Sequence, residues 1–473
     1  MYKGKTINQQ SAIPSLRMEI GILAERKKPE DNRAGLTPAD AAYLKKVFPL
    51  LDIVVERSNF RVFKDEEYAN LGLQLVTRAS TSDILVGVKE VPIEELIPNK
   101  TYLFFSHTIK KQPYNKNRLQ ALVDKNCTLI DYECLEDNKG QRLIGFGKWA
   151  GIVGTYNGFR TYFKKHKQQT LSPAHQMLDY DALRTKLKNS KIPEMKIVFT
   201  GTGNVSYGIR EVLNYLKIKE VSPSTFLNTP SGTIFTQLKD EHLYQRKNGE
   251  HFEKQHFFKN HNAYKSIFKP YLFAADLLIN GMYWENDMEP LFSKDDLSQD
   301  VRIKTIADIT CDVEGSIPIT WKATTIEDPI IGWDLKTQKP GKPFENNTID
   351  IMSVTNLPSE LPKSASEDFS KKMRTLIIPE LLNNGKIIKE AYKAAEILSE
   401  ESIDCEVIDL RTIRPMDYET IFESVKKTNR LVILEESWPF GNISTEITYQ
   451  VQSQIFDYLD APVEKINTAD TPA

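Results

Sequence analysis

Three residues able to move protons sit at matching places in the first third of the chain. Lys89 ends the apolar run SDILVGVK, His107 directly follows TYLFFS, and Glu133 directly follows TLIDY. Each run suits a short buried strand. In an open α/β sheet, ligands bind outside the carboxyl ends of the strands. Successive strand ends carrying lysine, histidine and glutamate would therefore supply acid/base chemistry near neutral pH. Taken singly, each has a plainer reading: a surface lysine, a capping histidine, a solvated carboxylate. Their recurrence at strand ends favours the chemical reading.

A second stretch, KIVFTGTGNVSYGIREVL at residues 196–213, reads as strand, glycine turn and helix. Gly201, Gly203 and Gly208 are spaced G-x-G-x-x-x-x-G. Such a turn lets backbone approach a pyrophosphate, and the free N–H groups of the following helix attract it. The spacing departs by two residues from the commonest dinucleotide fingerprint, and lone glycine motifs are often only turns.

These residues need elements to hold them. Residues 18–24, 51–55 and 303–309 read as further strands, and Thr37 before Pro38 reads as a helix N-cap. FGKWAGIVGTYNGFRTYFKKHK, at 146–167, suits a long helix joining two domains, with glycines where it packs closely. At 473 residues the chain suggests two to four domains. A net charge of −2 argues against nucleic acid or a membrane surface as the main partner. Four cysteines without a C-x-x-C pair suit a reducing cytosol. Residues 1–17 lack the apolar core of a signal peptide, so a cytoplasmic protein is expected.

ERKKPEDNRAGLTP, GVKEVP, FFSHTIKKQPYN, IDYECLEDNKGQRLIGFGKWAGIVG and FTGTGNVSYG together resemble the lysine–ketoglutarate reductase and saccharopine dehydrogenase family, within the wider alanine dehydrogenase fold. The resemblance covers residues 18–384. It implies two Rossmann-like α/β domains: a substrate domain over 1–150 completed by 353–388, and a dinucleotide-binding domain over 151–352. It also implies reversible condensation of L-lysine with 2-oxoglutarate to saccharopine. Lys89 and His107 would be the acid/base pair. Glu90 and Glu133 would set their charges, and Arg33 and Arg142 would clamp substrate carboxylates. Gly201, Gly203, Asn204, Val205, Ser206, Gly208, Asn280 and Asp308 would line the cofactor. The cofactor is expected to be NAD or NADP. Ser222, Ser224 and Thr225, about 20 residues after the turn, are neutral hydroxyls that favour NADP. Thr355 stands where the family motif has Asp before Asn356, and threonine brings no negative charge for a substrate ammonium. Within enzymes the competing reading is alanine dehydrogenase, acting on ammonia and pyruvate; outside them, it is a non-catalytic assembly protein.

Residues 390–473 resemble instead the C-terminal domain of the pyruvate dehydrogenase beta subunit, of transketolase type. AYKAAEILSEESIDCEVIDLRTIRPMD, KKTNRLVILEESW and FDYLDAPVEKINTADTPA carry the likeness. Strands are expected at 405–410, 431–435 and 463–466. The strand that opens this domain in the family has no room here, so the tail reads as a partial α/β domain and the chain as a fusion. No thiamine diphosphate, metal, nucleic acid or membrane is expected. The expected partners are small amino acids and 2-oxo acids, with a homo-oligomer left open.

Overall fold

The computed structural model describes residues 18–28, 31–111, 113–137, 140–408, 410, 416–435, 437 and 441–467. Residues 1–17, and with them the expectation about a signal peptide, lie outside the described residues. The chain divides into two compact units between Met373 and Arg374.

The first unit holds two large sheets. One contains β1 (Met18–Ile22), β2 (Leu51–Glu56), β3 (Gln74–Val76), β4 (Ile84–Lys89), β5 (Thr101–Phe105) and β6 (Thr128–Asp131). Their order is β3-β2-β1-β4-β5-β6, all parallel. The order reverses between β1 and β4, and a doubly wound sheet opens its ligand crevice at such a point. The strands read as near-continuous apolar runs because helices cover both faces.

The second sheet contains β7 (Lys196–Thr200), β8 (Lys219–Glu220) and β9 (Ile234–Leu238). After a small antiparallel pair, β10 (Tyr244–Arg246) and β11 (Tyr264–Ser266), it continues with β12 (Leu277–Asn280), β13 (Thr305–Asp308), β14 (Ile330–Asp334), β15 (Lys339–Gly341) and β16 (Thr348–Met352). Its order is β15-β14-β16-β13-β12-β7-β9-β8, with reversal at β7 between β12 and β9. A large aromatic and aliphatic core including Phe226, Leu272 and Ile306 fills one face.

The joining helix is Gly147–Lys165, close to the span expected from sequence. It lies against the helix Asn204–Tyr215 that follows the glycine turn. A Cβ on Gly151 would stand 2.0 Å from Val205 O, and one on Gly208 2.0 Å from Lys148 O. The backbones therefore touch, and only glycine fits at either position. Thr37 caps the helix Pro38–Val47, as its sequence implied, by accepting from Asp40 N–H at 3.3 Å.

The second unit has its own small core of Ile421, Val425, Ile433, Ile447, Val451 and Ile455. Two strands, β17 (Val432–Glu435) and β18 (Glu464–Asn467), pair in parallel. The strand expected at 405–410 is a correction: residues 403–408 have no regular structure and are largely exposed. A strand needs a ladder partner, and among the described residues β17 pairs with β18 alone. No helix among the described residues is long and apolar enough to cross a membrane.

Candidate active site

The carboxyl ends of β4, β5 and β6 are neighbours, so Lys89, His107 and Glu133 come together. Lys89 is in register with Phe105, two residues before His107. Glu133 lies in the single 3-10 turn after β6 and is buried. Its Oε2 is 3.1 Å from His107 Nδ1. A carboxylate can only accept, so Nδ1 carries the proton and Nε2 is left as the basic nitrogen. His107 has left-handed backbone, φ 57°.

Lys89 Nζ lies 3.3 Å from Asp31 Oδ2. Asp31 is almost fully buried and is the hub of the loop after β1. Arg33 donates to it from Nε at 2.9 Å, from Nη2 at 2.7 Å and from its backbone N–H at 3.0 Å. Asn356 Nδ2 adds a bond at 3.1 Å. Burial pushes the Asp31 carboxyl up, but the Arg33 guanidinium and then the Lys89 ammonium outweigh that and hold it well below the usual carboxylate range. Sequence reasoning passed over Asp31, although its place two residues before Arg33 was a signal. Arg33, assigned to substrate, has this internal partner. Thr355 is exposed, while its neighbour Asn356 reaches the buried anion.

Glu25, also passed over, lies beneath β4. It accepts from Val88 N–H at 2.6 Å and Lys89 N–H at 2.8 Å, where the β4–β5 register shifts. Burial, reinforced by Asp31, pushes its pKa up to about 7 against those two donors. Glu90 is buried and takes bonds from Lys27 and from Arg118 Nη1, the latter at 3.0 Å. Arg142 is exposed on the turn beyond Glu133, where its backbone bridges Glu136.

On the second sheet, Gly201 has φ +94°, and a Cβ there would lie 2.5 Å from Gly281 O. Gly203 caps the following helix without a side-chain bond, and a Cβ on it would meet nothing within 4 Å. Uncapped N–H groups beside open space fit a pyrophosphate. Thr202, Gly203 and Asn204 are exposed, and Val205 is half-buried. Ser206 is turned inward, its hydroxyl 3.5 Å from Thr200 O, and Gly208 serves the helix crossing. Asn280 and Asp308 are fully buried. Asn280 accepts from Thr200 at 2.7 Å and donates to Asp308 at 2.9 Å and Ser316 at 2.8 Å. Burial raises the Asp308 pKa, partly offset by bonds from Thr320, Thr310 and Asn280. The Asn280 and Asp308 side chains are bonded to each other at the carboxyl ends of β12 and β13.

The ribose region needs a correction. Ser222, Ser224 and Thr225 follow β8, but the strand beside the glycine turn is β9. Gly201 N–H donates to Leu238 O at 3.0 Å, and Gln237 Nε2 to Gly201 O at 2.8 Å. Residues 221–233 carry the chain past the edge strand before it returns, so the strand end beside the glycine turn carries Lys239 and Asp240 rather than Ser222, Ser224 and Thr225.

The two sets of residues abut. The Arg33 guanidinium lies 4.2 Å from the Phe146 ring centroid. A Cβ on the next residue, Gly147, would lie 2.9 Å from Asn204 Cβ. Elsewhere, His261, Glu285 and Asp287 bring donor atoms within 4.8 Å, where an imidazole–carboxylate hydrogen bond of 2.9 Å accounts for the closest pair.

Comparison with known proteins agrees with this layout. Residues 21–153 match the alanine dehydrogenase/PNT N-terminal domain, and residues 380–473 the transketolase C-terminal domain. The chain is 30% identical over 422 residues to the mitochondrial alpha-aminoadipic semialdehyde synthase of Mus musculus, covering 79% of this chain and 45% of that one. It thus spans about half the length of that relative. It is 25% identical over 383 residues to a saccharopine dehydrogenase (NAD(+), L-lysine-forming) of Yarrowia lipolytica, covering 76% of this chain and 90% of that one. The tail is 55% identical over 85 residues to the pyruvate dehydrogenase E1 component subunit beta of Rickettsia felis, covering 18% of this chain and 26% of that one. An L-alanine dehydrogenase structure superposes with TM-score 0.51 at 16% identity, over 80% of this chain and 92% of that one. The first unit therefore has the alanine dehydrogenase-like fold.

Proposed function

We propose that this chain, similar over most of its length to enzymes of the lysine–ketoglutarate reductase and saccharopine dehydrogenase type, catalyses the NAD(P)-dependent, reversible condensation of L-lysine with 2-oxoglutarate to saccharopine. The observation that carries this reading is the Arg33–Phe146–Gly147–Asn204 contact. It brings the acid/base strand ends beside a glycine turn fit for a dinucleotide.

Gly201, Gly203 and the first-turn N–H groups from Asn204 onward would hold the cofactor, which supplies hydride for the imine carbon. His107 Nε2, with Nδ1 tied to Glu133, takes the proton released when the substrate amine adds to the ketone. Lys89 Nζ, a proton donor anchored at Asp31, assists loss of water from the carbinolamine. Asp31 supplies the negative charge that Thr355 lacks. Arg142, exposed at the rim, and Arg33 hold substrate carboxylates. Lys239 at the end of β9 is exposed and cationic, and favours a 2′-phosphate, so NADP is the cofactor we infer. The tail is read as a fused transketolase-type assembly module. A homo-oligomer and a cytoplasmic setting complete the reading.

The test is nicotinamide oxidation by the full-length chain with lysine plus 2-oxoglutarate, against ammonia plus pyruvate, with NADPH and NADH in parallel. Saccharopine in the first mixture supports the proposal. Turnover in the second mixture alone replaces it with alanine dehydrogenase, and no turnover in either removes the catalytic reading.

A further inference from the structure

His107 holds a left-handed backbone, which a residue with a Cβ does not adopt without support. The support comes from Asn115, whose Nδ2 donates to His107 O at 3.0 Å. Asn115 occupies the N-cap of the helix Lys116–Asp124, where asparagine commonly accepts a bond from its own helix, yet its side chain caps nothing there. Instead its Oδ1 accepts from Arg118 Nη1 at 3.2 Å. The same Nη1 donates to Glu90 Oε1 at 3.0 Å, and Glu90 directly follows Lys89. Asn115 and Glu90 are both at least 97% buried. A single guanidinium nitrogen therefore links Glu90, just after β4, to Asn115, which holds the backbone of His107, two residues past the end of β5.

We propose that Arg118 is a positioning residue that keeps Lys89 and His107 in register with each other, through Glu90 on one side and Asn115 on the other. This rests on the roles given to Lys89 and His107 above. Arg118 acts through Glu90 and Asn115. It fixes the strand end that presents one proton carrier and the strained turn that presents the other. A small misplacement of such groups lowers rate far more than binding.

The test uses the full-length chain with Arg118→Met and Arg118→Lys. Arg118→Met should lower kcat on the order of tenfold to a hundredfold, leave the NADPH Kd from fluorescence titration unchanged, and move the His107 ring-proton NMR resonance, identified by its loss in His107→Gln. Arg118→Lys should recover part of the rate, because an ammonium can serve Glu90 but lacks the planar fork. Wild-type kcat with an unmoved resonance in Arg118→Met overturns the proposal. So does a parallel loss of NADPH affinity, which would mark general damage. If the wild-type chain turns over no substrate pair, the functional reading fails, and the resonance alone still decides the positioning role.

Discussion

Glu25 ties the stability of the first unit to pH in a direction opposite to most carboxylates. Its pKa rises from an ordinary 4.5 to about 7 through burial. Below pH 4.5 both folded and unfolded chains keep its proton. Between pH 4.5 and about 7 the unfolded chain releases it while the folded chain retains it, so stability falls as pH rises. Above about 7 both have lost it and the penalty is complete. At about 1.4 kcal/mol per pH unit, the penalty reaches about 3 kcal/mol. Glu25→Gln removes this titration. Like the protonated carboxyl, the amide offers one carbonyl oxygen to the Val88 and Lys89 N–H groups, so the variant should lie within about 1 kcal/mol of wild type where Glu25 is protonated. The assay is urea unfolding of both chains from pH 4 to 8.5 by tryptophan fluorescence. Trp149, Trp284, Trp321 and Trp333, four of the five tryptophans, lie in the first unit. Taking the difference between the chains cancels other titrating groups such as Asp308. The two chains should lie within about 1 kcal/mol at pH 4.5, and wild type should trail by about 3 kcal/mol at pH 8. A difference flat across that range would refute the placement of a protonatable, buried Glu25.

His107→Gln and Lys89→Met should each cut turnover on the order of a hundredfold or more, with a double mutant less than additive; full turnover in either sinks its assignment. Gly208→Ala should destabilise by at least about 1–3 kcal/mol in denaturant melts, because its Cβ would enter the Lys148 backbone. Gly203→Ala should leave stability unchanged and weaken NADPH binding in titrations, because its Cβ enters only the open space at the turn. Lys239→Ala should lower kcat/KM for NADPH more than for NADH in parallel assays.

The strands carrying Lys89, His107 and Glu133 were legible because buried parallel strands read as apolar runs ending in a polar residue. The joining helix was legible from its glycine spacing. Asp31 and Glu25 were not, because charges within ERKKPEDNR look like a solvated loop until folding buries Glu25, Asp31 and Arg33. Ser222, Ser224 and Thr225 fall away from the strand beside the glycine turn for a topological reason: counting about 20 residues from the turn assumes that the next strand is the neighbour, and here the chain visits the sheet edge first. The expected strand at 405–410 failed for want of a ladder partner, which no local pattern reports. Ser206, Asn280 and Asp308 have polar types that suit ligands equally well as internal struts, and only their burial tells the two apart.

The glycine face of the joining helix has a mechanical consequence. At Gly147, Gly151, Gly154 and Gly158 an added Cβ would meet Asn204, Val205, Ile309 and Ala307 respectively, all belonging to the nucleotide side. The helix is thereby clamped to that side and moves with it as one lever. Just ahead of Gly147, the Phe146 ring stacks on Phe369 at 4.6 Å and lies beneath Arg33, so the clamp ends where the Asp31 network begins. A displacement of Phe146 would therefore be felt directly at the buried Arg33–Asp31 pair.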